Sequence, residues 1–169
     1  MMQKLLALSL LLACQLGLPA HAKDLAAKAE RDEVVFMPDD DPAMRRAFQQ
    51  ARATLDDFLA KAAKPPKGTD HYAVKVGIRD GKQTEYFWIS DFSAKSGKFS
   101  GQISNEPQLV SNVEAGETYQ FGKGEIVDWL YVDNNSGRMM GNFTACALLS
   151  KEPPAVAADM KKRFGLHCS

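Results

Sequence analysis

Residues 72–92 read YAVKVGIRDGKQTEYFWISDF, and this stretch decides the fold. Tyr72, Val74, Val76 and Ile78 alternate with Ala73, Lys75, Gly77 and Arg79, the two-residue period of a half-buried strand. Asp80-Gly81 is a tight-turn signal, and Thr84 to Phe92 returns as a second strand. On that strand Tyr86 and Trp88 share one face while Phe87 and Ile89 share the other. Both faces are therefore apolar, as in central strands covered on two sides.

Working outward, the same pattern repeats after short turns. Lys98 to Ile103 alternates with Phe99 and Ile103 in phase. Glu117 to Phe121 and Ile126 to Val132 read as two further strands around Gly122 and Gly124. Asn134-Asn135-Ser136-Gly137 turns the chain into Arg138 to Phe143. Strands at this spacing predict an antiparallel meander of about five to six strands.

Helical periodicity flanks the strands. Upstream, Met44, Ala47, Phe48, Ala51, Leu55, Phe58, Leu59 and Ala62 recur every three or four residues, a one-sided apolar stripe that must pack on something. Asp41 caps this helix with Pro42 at its first position, and Pro65-Pro66 with Gly68 ends it. The acidic run Asp39-Asp40-Asp41 complements the helix dipole; it lacks the spaced ligands and closing glutamate of a calcium loop. Downstream, Thr144 to Ser150 reads as a short helix. Pro153-Pro154 opens another, with Val156, Met160 and Phe164 on one face and Gly165-Leu166 as its glycine C-cap. The fold class is thus α+β: a meander with an N-terminal amphipathic helix and C-terminal helices packed on it.

The 169 residues carry 21 basic and 21 acidic side chains. That balance gives no electrostatic case for nucleic acid or an anionic membrane surface. Residues 1–22 have the anatomy of a signal peptide: Lys4, an uncharged apolar run from Leu5 to Leu18, Pro19, and Ala20-His21-Ala22 before a cleavage point at Lys23. The run is short for a transmembrane span, which needs about 20 residues, so no integral membrane segment is expected in the mature chain. The alternative is a lipoprotein anchored at Cys14. Residues 23–38 form a lead-in, and 39–169 one α+β domain. An exported chain left with two cysteines favours a Cys146–Cys168 disulfide. The competing reading is a reactive thiol with His167 as its base.

Several ordered marks in the second half carry a family resemblance. They are Phe87-Trp88-Ile89, then Gly101-Gln102-Ile103-Ser104-Asn105-Glu106-Pro107, Gly116-Glu117, Ile126-Val127-Asp128-Trp129 and Gly141-Asn142-Phe143-Thr144. Together they resemble the YegJ-like bacterial family, whose members have no established activity. The resemblance implies a bacterial envelope protein and supplies no catalytic role.

The candidate site residues are Trp88, Asn105, Glu106, Asp128, Trp129, Asn142 and Thr144. Trp88 and Trp129 serve either as a binding platform or as core beneath the Met44–Ala62 stripe. Asn105-Glu106-Pro107 reads as a turn whose side chains bond the local backbone. Asp128 is a carboxylate in an otherwise apolar strand, and Asn142 or Thr144 reads as a helix cap. If Glu106, Asp128, Asn142 and Thr144 converged, they would form a polar cleft fit for acid–base work. Beyond residue 22 only His71 and His167 remain, with no HExxH, CxxC, phosphate loop or GxSxG element, so no metal and no cofactor is expected.

Three functions fit. The first is a periplasmic binding or inhibitory module of the immunity type, acting by contact on an envelope protein or a toxin. The second is a small envelope hydrolase using Glu106 or Asp128 as acid or base, and the third is a structural envelope protein. The inventory of chemistry favours contact over catalysis.

Overall fold

The computed structural model describes residues 39–168. The expected signal peptide, the lead-in and Cys14 lie outside the described residues. Helix α1 (Pro42–Ala63) is followed by strands β1 (Thr69–Asp80), β2 (Gln83–Lys95), β3 (Lys98–Ile103), β4 (Thr118–Phe121), β5 (Ile126–Asp133) and β6 (Arg138–Gly141). Helices α2 (Phe143–Leu149) and α3 (Pro154–Arg163) complete the chain. All strand pairs are antiparallel, in the order β4-β3-β2-β1-β5-β6.

The first four strands follow one another as a meander. A 3₁₀ turn at Lys123–Glu125 then carries the chain back to the free side of β1, so β5 pairs with β1 and not with β4. This crossover makes β1 and β2 central. It explains why Val74, Val76, Phe87 and Ile89 have no accessible surface.

Three register shifts tune which side chains reach the core. One falls between Lys75 and Val76, which pair with Asp128 and Ile126 of β5. The others fall between Asp70 and Ala73 on β1 and between Ser90 and Ser93 on β2, where His71 and Asp91 take φ values of 51° and 48°. An inserted residue reverses the alternation beyond it. The shift at Asp91 thereby brings Phe92 into phase with Phe87 and Ile89, while Tyr72 shares the phase of Val74 and Val76 directly; both meet Phe58 of α1, with ring centres 5.9 and 6.1 Å away.

Helix α1 begins as its sequence predicts: Asp41 accepts a hydrogen bond from the Ala43 N–H at 2.7 Å, with Pro42 at the first position. Its stripe is buried at Met44, Ala47, Ala51, Leu55 and Phe58. The lower part of the stripe covers the sheet, while Met44 and Ala47 pack on Ala147 of α2.

At the other end, Leu166 N–H donates to Lys161 O and Gly165 N–H to Lys162 O, with Gly165 at φ 63°. This is the paired bonding of a Schellman cap. The tail then runs along β6, where His167 N–H donates to Met139 O. The expected disulfide is present: Cys146 of α2 joins Cys168, with Cα atoms 5.6 Å apart.

Strand β6 ends at Gly141, two residues before the Phe143 expected. Gly141 takes φ 78°, and a Cβ there would overlap the backbone oxygen and indole ring of Trp129. Asn142 follows in the left-handed region at φ 52°. The strand therefore breaks against Trp129, and Phe143 opens α2.

Candidate functional site

The registers β1–β2 and β1–β5 each pair Lys75, with Trp88 on one side and Asp128 on the other. The three side chains form a row across the sheet, on the face opposite Val74, Ile89 and Trp129. Here the structure gathers the chemistry.

Asp128 is completely buried. Its Oδ1 accepts the Trp129 and Phe143 N–H groups at 2.8 and 3.2 Å. Its Oδ2 accepts the Thr144 N–H at 2.8 Å and the Thr144 hydroxyl at 2.7 Å. The first N–H groups of a helix have no partner within the helix and favour negative charge. Asp128 therefore caps α2 from a different strand.

Lys75 completes the group. Its Nζ donates to Thr144 Oγ1 at 2.8 Å and lies 4.6 Å from the centre of the Trp88 ring. The threonine hydroxyl thus bridges ammonium and carboxylate, accepting from one and donating to the other. Burial pushes the Lys75 ammonium down from its ordinary range, with the Asp128 charge resisting. Burial likewise pushes the Asp128 carboxyl up, opposed by Lys75, the Thr144 hydroxyl and the backbone donors. Loss of water around a charge disfavours that charge, and partners restore part of it.

The predicted site residues therefore separate. Asp128 and Thr144 meet, and Trp88 joins them through Lys75. Asn142 does not cap: its side chain makes no bond to the α2 backbone, and its Nδ2 donates to Met139 Sδ at 3.2 Å. Its left-handed backbone turns the side chain away, and Asp128 takes the capping role. Asn105 does not bond its local turn either. Its Oδ1 accepts the Trp88 N–H at 2.9 Å, extending the ladder of β2 past the end of β3. Glu106 stands exposed on the loop beyond and takes no part in the cluster.

Trp129 belongs to the core, so the two tryptophans share no face. It is 8% exposed, its Nε1–H donates to Ala51 O and Thr54 Oγ1 at 3.2 Å, and its ring stacks on Phe58 at 4.8 Å. The platform reading is left with Trp88 alone, which is half-buried.

Two important residues escaped the sequence reading. Lys75 sits in the polar phase of β1, where a lysine reads as a solvated side chain; its register opposite Trp88 was the available signal. Glu85 lies in phase with Phe87 and Ile89, an acid at a core position, and is 1% exposed. Its carboxylate accepts the N–H groups of Gln108, Leu109 and Val110 at 3.0, 2.8 and 3.2 Å. Among the described residues, no group of His, Cys, Asp or Glu is placed to hold a metal ion. No helix there is long and apolar enough to cross a membrane.

Residues 41–168 match the family model described as "Uncharacterized protein conserved in bacteria (DUF2314)". The chain is 35% identical over 125 residues to the uncharacterized protein YegJ of Escherichia coli, across 74% of this chain and 79% of that protein. It is 30% identical over 126 residues to a Neisseria meningitidis serogroup B protein provisionally named an ankyrin repeat protein. That alignment takes in 69% of this chain and 49% of the longer relative. No solved structure matches. The matched span starts at the α1 cap and ends at the disulfide, so it contains every element described above, and the chain belongs to this bacterial family of uncharacterized proteins.

Proposed function

We propose that this protein is an exported periplasmic module that acts by contact with another protein, an envelope component or a toxin delivered to the envelope. The observation that carries the reading is the state of Asp128. A general acid or base must reach the proton it transfers. The Asp128 carboxylate is instead fully buried and engaged by four donors, which makes it an anchor for α2. That counts against a hydrolase using Asp128, and leaves the hydrolase reading with Glu106 alone. A relative named for ankyrin repeats, an architecture that presents extended binding surfaces, agrees with contact.

Export is tested by expressing the full chain and sequencing the N-terminus of the protein in each cell fraction. A periplasmic form beginning at Lys23 supports the proposal; retention in the cytoplasm with Met1 intact removes it. A form anchored through Cys14 would keep the envelope and change the attachment. Contact is tested by crosslinking in those cells. A single reproducible partner, bound again by the two purified proteins, is the expected result, and its absence counts against a contact function.

A further inference from the structure

We propose that the docking partner of the Trp88–Lys75 face is the chain's own upstream stretch, residues 32–38, which straps over it. The inference goes beyond the contact reading and does not rest on it, because these residues remain whether or not the chain is cut before Lys23.

The helices leave this face of the sheet open at β2. Helix α1 covers the opposite face, where Phe58 meets Tyr72, Phe92 and Trp129. The apolar cluster of α3 is built with Leu149 and Leu166 and takes in no residue of β1, β2 or β3. Helix α2 reaches the face at its first turn, where Thr144 bonds Asp128 and Lys75. Among the described residues, Trp88 joins none of the apolar clusters, and its ring faces the Lys75 ammonium. A tryptophan so placed is a large apolar surface awaiting cover.

The start of the described chain lies beside that surface. Tyr86, two residues before Trp88 and on the same face, donates its hydroxyl to Asp39 Oδ2 at 2.5 Å, and its ring meets Phe48 of α1 at 5.9 Å. Gly77 pairs with Tyr86 and makes room for the ring, since a Cβ there would stand 3.0 Å from it. Burial and the Asp39 carboxylate hold the Tyr86 phenol above its ordinary range, so it stays a donor around neutral pH. The described residues begin at Asp39. This bond therefore sets the point from which the upstream residues depart.

Those residues read Asp32-Glu33-Val34-Val35-Phe36-Met37-Pro38. Valine and phenylalanine favour extended backbone, and so does a position before proline. At about 3.3 Å per residue, Phe36 reaches about 10 Å from Asp39, and Trp88 lies about 7 Å from Tyr86 along β2. Val34 and Phe36 share one side of an extended segment and suit the Trp88 ring. Asp32 and Glu33 follow, and they complement Lys75. A lysine ammonium carries three N–H donors, and among the described residues the acceptor bonded to this one is Thr144 Oγ1. A segment tethered a few residues from its site is held there at high effective concentration, so a small contact suffices.

The test uses oxidised protein purified from cells expressing the full chain. Phe36 is replaced by the photo-crosslinker p-benzoylphenylalanine, and crosslinks are mapped by mass spectrometry. They are expected within one molecule, on β1 or β2 beside Trp88. In a second arm, the pair Val34→Ser and Phe36→Ser should shift Trp88 emission to the red and raise its quenching by acrylamide. The same pair in a Trp88→Phe background should change neither, because the remaining Trp129 is buried. Crosslinks that join two molecules, map elsewhere or fail to form overturn the proposal. So does emission that the pair leaves unchanged, or shifts equally in the Trp88→Phe background. Neither arm involves a partner, so the outcome is separate from the crosslinking in cells that tests the contact reading.

Discussion

Asp128 occupies the position of an α2 N-cap although it lies on β5: its Oδ2 accepts both the N–H and the hydroxyl of Thr144, at 2.8 and 2.7 Å. The helix start, the sheet and Lys75 thereby hang on one carboxylate. Removing one member of a buried charged pair leaves the other uncompensated, which costs about 3–5 kcal/mol. Asp128→Ala is therefore expected to lower unfolding free energy in urea by that order. Asp128→Asn, which keeps one acceptor oxygen, should cost less. Combining Asp128→Asn with Lys75→Met should recover part of the loss, because the unpaired ammonium goes too. Additive losses would mean that the two residues are not coupled through Thr144.

The two tryptophans should behave differently. Trp129 is buried against Ala51, Thr54 and Phe58, and truncation of such a residue costs about 3–5 kcal/mol. Trp88 is half-buried, and its defined polar contact is with Lys75, a cation–π pair worth roughly 0.5–2 kcal/mol. Denaturant unfolding of Trp129→Ala and Trp88→Ala should rank them in that order. Equal losses would show that Trp88 is as much a core residue as Trp129.

Most of the fold was legible because most of its signals are local. The alternation in residues 72–92, the Asp41-Pro42 start of α1 and the Gly165 cap each depend on neighbours within a few residues. The crossover that sets β5 beside β1 is long-range, and strand alternation is the same whichever neighbour a strand pairs with. The site was less legible for the same reason. Asp128 and Thr144 were singled out, but the cap joins them across the chain, and Lys75 and Glu85 acquire their roles only from the register. A lysine in a polar phase and a glutamate in an apolar one look alike as isolated letters; burial tells them apart.

Acid should weaken the α1 start. The ammonium of Lys151, 2.9 Å from Asp41, and the Ala43 N–H hold the Asp41 carboxyl below its ordinary value of 3.8. A depressed folded value means stabilisation that is present above the unfolded value and lost as pH falls through the folded one. Asp41→Asn keeps a good capping side chain and removes the charge. The variant should be less stable than wild type near neutral pH, and the two should converge well below pH 3.8. Thermal melts across that range decide it, and a constant difference would assign the effect to capping geometry.

Reduction should act locally first. The disulfide closes a 22-residue separation between α2 and the tail, and a loop of that size contributes roughly 3 kcal/mol in the chain-entropy account. The tail it secures exchanges hydrogen bonds with a single edge residue: Met139 N–H donates to Gly165 O at 2.8 Å, and His167 N–H donates to Met139 O at 3.1 Å. An edge strand held by so few bonds opens at low cost once its tether is gone. In a Cys146→Ser, Cys168→Ser variant, hydrogen exchange should therefore accelerate at Met139 and His167. Protection at Val74, Val76 and Phe87 should fall only by the loss in global stability. Equal acceleration at all of these amides, beyond that global loss, would place the disulfide in the cooperative core and not at its edge.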